Sequence, residues 1–157
     1  MQIGIDLGAT KIESVLLDQR GKELLREREN TPDSYDGTIE AIGNIVNLIE
    51  KKFNKNFNVG ICHPGSSIGD TGLIQNSNNS TWMNNKPFQK DISKKLNKTV
   101  YCENDANCFA LSESVDGSAS HYKIVFGVIL GSGCGGGLVV DKKIISGSNN
   151  LSGEWGH

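Results

Sequence analysis

Residues 3–18 read IGIDLGATKIESVLLD. IGIDLG has the apolar alternation of a half-buried strand, GATK is a glycine-bearing turn, and IESVLLD repeats the strand pattern. DQRG is a second turn by composition, and KELLRERE alternates well enough for a third strand. The chain is therefore predicted to begin as an antiparallel meander. The turn is neither of the common nucleotide loops: it lacks GxxxxGK[ST], and a strand rather than a helix follows it.

Downstream, Pro32 with Asp33 or Ser34 signals a helix start, and Ile39, Ile42, Ile45, Val46, Ile49 and Phe53 recur at helical spacing. NVGICHPG reads as a strand ending in a Pro-Gly turn. Residues 66–86 read as loop, with Trp82 anchoring it. PFQKDISKKLN reads as a short helix, TVYCE as a strand and DANCFALSESV as a helix. YKIVFGVIL is a long strand that runs into GSGCGGG, and GLVVDKKIISG forms a hairpin turning at Asp141–Lys143. The polar break near residues 116–121 divides a first lobe, 1–118, from the opening strands of a second, 119–157.

Composition narrows the function classes. The 157 residues carry 16 Lys and Arg against 18 Asp and Glu, a net charge of −2, with no basic cluster to meet a nucleic-acid backbone. No apolar run approaches a membrane span, and no signal peptide is visible. Cys62, Cys102, Cys108 and Cys134 show no CxxC spacing, which fits free thiols in a cytoplasmic protein. Cys102 and Cys108 read as small buried hydrophobes, and Cys62–His63 is a weak ligand pair.

Two glycine turns carry the first chemical signal. Gly131-Ser132-Gly133-Cys134-Gly135-Gly136 formally matches GxGxxG, yet β-branched strand residues follow it, against a dinucleotide fold. A glycine turn between strands can instead expose backbone N–H groups as an anion nest. Gly8, Ala9, Thr10 and Lys11 on one side, and Gly131, Ser132, Gly133, Cys134 and Gly135 on the other, are candidates to grip phosphates. Asp6 is placed to hold magnesium through water. Asp105, at a strand-to-helix junction, suits both a helix cap and an acid aimed into a cleft. Pro64 and Gly65 suit a turn facing a ligand or a plain strand end. Asn76, Asn78 and Asn79 offer amides from an Asn-rich loop.

Taken together, IGIDLGATK, GICHPG, NNSTW, ENDANCFALSE, GSGCGGGLV and SGEWGH resemble, in order and spacing, the ROK family (repressor, open reading frame, kinase). The resemblance covers essentially the whole chain. It implies a ribonuclease H-like α/β lobe of the actin-like ATPase superfamily, with a mixed sheet and flanking helices. It further implies ATP- and Mg2+-dependent phosphorylation of a hexose, with Asp105 as base and Gly65, Asn79, Asn104, Glu154 and His157 facing the sugar. NNSTWMNNKPF and GEWGH look most like the fructokinase branch, while ENDANCFALSE also resembles N-acetylglucosamine kinases. In the family the His of GE-x-GH also ligates a structural zinc with cysteines further on. His157 would do so only with that downstream segment. Repressors of the family carry a helix-turn-helix before the DLG strand, and here that strand starts at residue 2. Open sheet edges in residues 122–146 predict a homodimer or self-association.

Overall fold

A computed structural model describes residues 1–131 and 134–156. The opening meander forms as the alternation predicts: β1 (Gln2–Leu7) pairs antiparallel with β2 (Lys11–Leu17), and β2 with β3 (Glu23–Asn30). Its inward side chains, Ile3, Ile5, Leu7, Ile12 and Leu16, are fully buried. β3 is an edge strand whose charged side chains stay in water, Arg26 bridging Glu13 and Glu23. Charges on an edge discourage pairing with other chains. Beyond β1 lie two parallel strands, β4 (Asn58–His63) and β7 (Val100–Asn104), giving the order β3-β2-β1-β4-β7.

Helix α1 (Tyr35–Phe53) starts where its cap permits. Of the two candidate caps, Ser34 is the one used: its hydroxyl accepts the Gly37 N–H at 3.3 Å. Ile42, Ile45, Val46 and Ile49 press onto the sheet, joined by Phe88 and Ile92 of α2 (Phe88–Leu96). These helices cover one face of the sheet only. On the other face Gly4, Asp6, Gly60, Cys62 and Tyr101 border a groove of about 1000 Å³.

Residues 66–86 are more structured than their loop-like composition predicts. β5 (Ser66–Ser67) and β6 (Ile74–Gln75) form a small antiparallel ribbon, followed by a 3-10 turn at Thr81–Met83. Asn84 closes the segment through both ends of its amide, to the N–H and C=O of Ser77. Met83 is buried and Trp82 packs against the core as an anchor.

Helix α3 (Asp105–Val115) leaves β7 directly and packs against a second, three-stranded sheet whose middle strand is Cys134–Val140. Its strands are β8 (Ile124–Leu130), β9 (Cys134–Val140) and β10 (Lys143–Ile144). Glycine at Gly137 makes this contact possible, because a Cβ there would stand 2.5 Å from the Ala106 carbonyl oxygen. Lys142, on the hairpin turn, donates to the carbonyls of Ser114 and Ser120 and so ties the hairpin to the far end of α3.

Candidate functional site

The end of β7 and the first turn of α3 make the most tightly bonded part of the site. Asn104, 6% exposed, is the N-cap: its Oδ1 accepts the Asn107 N–H at 3.1 Å. Its two amide hydrogens go to the Gly65 carbonyl and to Asp105 Oδ1, each at 3.0 Å. Capping therefore falls to Asn104, and the exposed Asp105 is left at the first helical position. Asp105 Oδ1 also accepts the Ala106 N–H at 2.8 Å. Partial burial between the walls raises the Asp105 pKa. The Ala106 hydrogen bond opposes this, and the charge of Asp6 adds to it.

Glu103 has a structural role that its sequence context leaves open. Its Oε1 accepts the Asn104 N–H at 2.8 Å and the Asn107 amide at 3.1 Å, clamping the helix start from behind. His63, buried against the Phe88 ring, bonds the Pro64 carbonyl through Nδ1 at 3.1 Å. Burial lowers its pKa, so it acts here as a neutral spacer. It holds the turn in which Gly65 sits at φ 78°, where a Cβ would lie 2.4 Å from the Gln75 carbonyl oxygen.

Around Asp105 opens a cleft of about 590 Å³, within the usual size of ligand sites. One wall is the β1–β2 turn, with Gly8, Ala9 and Thr10. A second is Pro64, Gly65 and Ser66 with Asn76, Asn78 and Asn79. A third is Gly131, Cys134 and Gly135 of the β8–β9 hairpin. Ile129, Leu151 and Glu154 complete the lining. Side-chain bonds hold the segment carrying Glu154, Gln75 donating to the Asn149 carbonyl at 3.5 Å among them. Asn150 donates to the Ser67 carbonyl at 2.7 Å, and Trp155 Nε1 to the Gly135 carbonyl at 3.3 Å.

The cleft thus gathers Gly8, Ala9, Thr10, Gly65, Asn79, Asn104, Asp105, Gly131, Cys134, Gly135 and Glu154 from segments distant in sequence. It does not gather all the candidates. Lys11 points away and bonds the Asn30 side chain. Asp6 borders the groove on the open sheet face, where its Oδ1 accepts the Cys62 thiol at 3.3 Å. Ser132, Gly133 and His157 lie outside the described residues. Ser66, Ile129 and Leu151 were not expected in the lining. Ser66 carries a legible signal in hindsight, a hydroxyl residue directly after the Pro-Gly turn, while the other two carry none.

The glycines of the hairpin divide between two tasks. Gly136 and Gly137 serve packing: a Cβ on Gly136 would meet the Gly153 carbonyl at 2.4 Å, and Gly137 seats α3. Only Gly131 and Gly135 of the described hairpin glycines border the cleft. Cys102 packs against the core as a small, partly buried apolar side chain, as expected, while Cys108 is half-buried at the groove. Among the described residues no group of three or more His, Cys, Asp or Glu side chains is arranged to hold a metal. No helix among them is long and apolar enough to cross a membrane.

Comparison with known proteins gives one family. An N-acetyl-D-glucosamine kinase from Histophilus somni is 42% identical over all of this chain and 52% of its own length. A ROK family glucokinase from Streptomyces griseus, solved with glucose and AMPPNP, superposes with a TM-score of 0.88. It is 28% identical, and the match covers 99% of this chain and 49% of that one. A ROK hexokinase from Thermus thermophilus gives a TM-score of 0.87 at 26% identity, over 99% of this chain and 52% of that one. The fold is that of these actin-like ATPase-fold proteins, a mixed α/β lobe. The chain spans about half the length of the curated relatives it matches. With residues 2–157 matching the family's sequence profile, the chain belongs to the ROK family.

Proposed function

We propose that this chain forms the sugar-facing half of an ATP-dependent hexose kinase. The observation that carries the reading is Asp105, exposed at the floor of a cleft whose walls are two glycine turns and an amide-rich loop. Phosphoryl transfer needs positioning and charge neutralisation more than covalent chemistry. In the proposed reaction a sugar hydroxyl oxygen attacks the γ-phosphorus of ATP, the bond to the bridging oxygen breaks, and ADP leaves. Asp105 takes the hydroxyl proton. Asn104 fixes the Asp105 carboxylate, and one lone pair of its Oδ1 remains for a sugar hydroxyl. Gly65, Asn79 and Glu154 supply the other sugar-facing groups, with His157 joining them by resemblance.

Gly8, Ala9 and Thr10 fit a phosphate by the chemistry of their donors, a tight turn of backbone N–H groups with one hydroxyl. Gly131 fits as well, since nothing stands within 4 Å of where its Cβ would be. Mg2+, when bound, neutralises phosphate charge. Asp6, which borders the sheet-face groove rather than the cleft but whose negative charge reaches Asp105, would hold it only through bridging water. The division into lobes 1–118 and 119–157 belongs to the same proposal, the cleft lying between them.

On substrate, the kinship favours N-acetyl-D-glucosamine over the fructose suggested by the NNSTW and GEWGH segments, because relatives about 40% identical carry that activity in their names. The test is an ADP-release assay on the longer protein containing this sequence, with N-acetylglucosamine, fructose, mannose and glucose compared by kcat/KM. Asp105→Asn is expected to lose ~10²–10⁴-fold in kcat, the scale of a general base. Turnover close to that of the unaltered protein would remove Asp105 from the role. A preference for fructose would restore the fructokinase reading.

A further inference from the structure

The groove on the uncovered face of the first sheet holds a chemistry that the cleft does not use. Three of the four cysteines border it: Cys62 on β4, Cys102 on β7 and Cys108 on α3. Strand register explains part of the gathering. Cys62 lies beside Asp6 on one neighbouring strand and Glu103 on the other, while Cys102 pairs with Ile61. The third thiol arrives by a different route, because α3 turns back over the ends of β4 and β7 and sets Cys108 one helical turn after Asp105. The Cys62 and Cys108 side chains are neighbours at this groove. Cys62 also reaches Asp6 Oδ1 at 3.3 Å. Cys62 and Cys108 are half-buried, and the groove of about 1000 Å³ gives a small molecule access to them, whereas Cys102, in register with Ile61, packs against the core.

We propose that Cys62 and Cys108 form an oxidisable dithiol whose co-substrate is a hydroperoxide. One thiol sulfur attacks the terminal peroxide oxygen, the O–O bond breaks, and an alcohol (or water, from hydrogen peroxide) leaves, giving a sulfenic acid. The second thiol displaces hydroxide from that sulfur, which leaves as water with the thiol proton. Two thiols and one hydroperoxide thus give one disulfide, one alcohol and one water, with sulfur oxidised and peroxide oxygen reduced. Cys62 stands two residues before Pro64, and Cys108 stands three after Asp105. A disulfide between them would staple the two segments that form the floor of the cleft.

Exposed Cys134 would react with other chains, so the test uses the full chain carrying Cys134→Ser. It is treated with hydrogen peroxide, digested without reduction and mapped by mass spectrometry. The expected result is a Cys62–Cys108 linked peptide, with Cys102 still free and the link reversed by dithiothreitol. In Cys62→Ser the linked peptide is lost and a dimedone-reactive sulfenic acid persists on Cys108. A Cys102–Cys108 link, or oxidation of the thiols one at a time to sulfinic acids, would overturn the pairing. Circular dichroism of each variant before treatment shows that the readout comes from folded protein.

Discussion

The two sheets of this chain are stabilised in different ways. The five-stranded sheet rests on a cluster of large side chains, among them Ile3, Ile12, Leu16, Met83 and Phe88, all at 1% exposure or less. Beneath the three-stranded sheet the buried apolar set is Ala110, Val125 and Val139, and two of these come from the sheet itself. The outer face of β8 leaves Ile124, Phe126, Val128 and Leu130 in solvent. Burial contributes about 25 cal/mol per Å² of apolar surface, so a sheet with so little of it leans on its neighbour. That neighbour is α3, whose contact depends on glycine in place of a side chain.

The largest test of the contrast is a cavity in the first sheet. Phe88→Ala should cost about 3–5 kcal/mol, read as a lower denaturation midpoint. Val125→Ala, which removes less volume from a smaller cluster, should cost clearly less, and equal losses would erase the distinction. Next in size is the seat of α3. Gly137→Ala places a methyl against the Ala106 backbone and should cost about 1–3 kcal/mol. Its hydrogen exchange should quicken in β8 and β9 before it does in β1 and β2. Uniform quickening would mean that the two sheets open as one unit.

Asn104→Ala removes the cap of α3 and its bond to the Gly65 carbonyl, for about 0.5–2 kcal/mol. The smallest effect belongs to Asp105. Its pKa is raised in the folded protein, so between the ordinary 3.8 and that higher value the native state holds more protons than the unfolded one. Stability therefore falls as pH rises through that window. Asp105→Asn, which keeps the hydrogen-bond acceptor and loses the charge, should melt slightly higher at pH 7 and unchanged at pH 3. A lower melting temperature at pH 7 would show that the charge is stabilising.

What could be read in the sequence follows the same division. The β1–β2 meander and α1 appear where alternation and helical spacing place them, and α2, β7 and α3 where their composition and flanking residues do. The 66–75 ribbon does not declare itself. Its strands are two residues long, and distant bonds close the segment, such as Ile74 N–H to the Lys86 carbonyl. At the site, Asp105 and the β1–β2 turn were legible because their residue types suit few other roles. Lys11 was not, because Asn30, nineteen residues away, decides where its ammonium goes. The β9 glycines do not declare their task for a related reason. Glycine marks a close approach without saying whether a ligand or a helix does the approaching.

Asn104 offers one more use. Its two amide protons go to different listeners, one to the Gly65 carbonyl and the other to the Asp105 carboxylate. In a nitrogen-correlated NMR spectrum they form a natural pair of gauges on a single side chain. The first moves when the 64–65 turn shifts, and the second when Asp105 gains or loses its proton. A titration with sugar or nucleotide can thus be followed at the floor of the cleft with isotopic nitrogen as the sole probe.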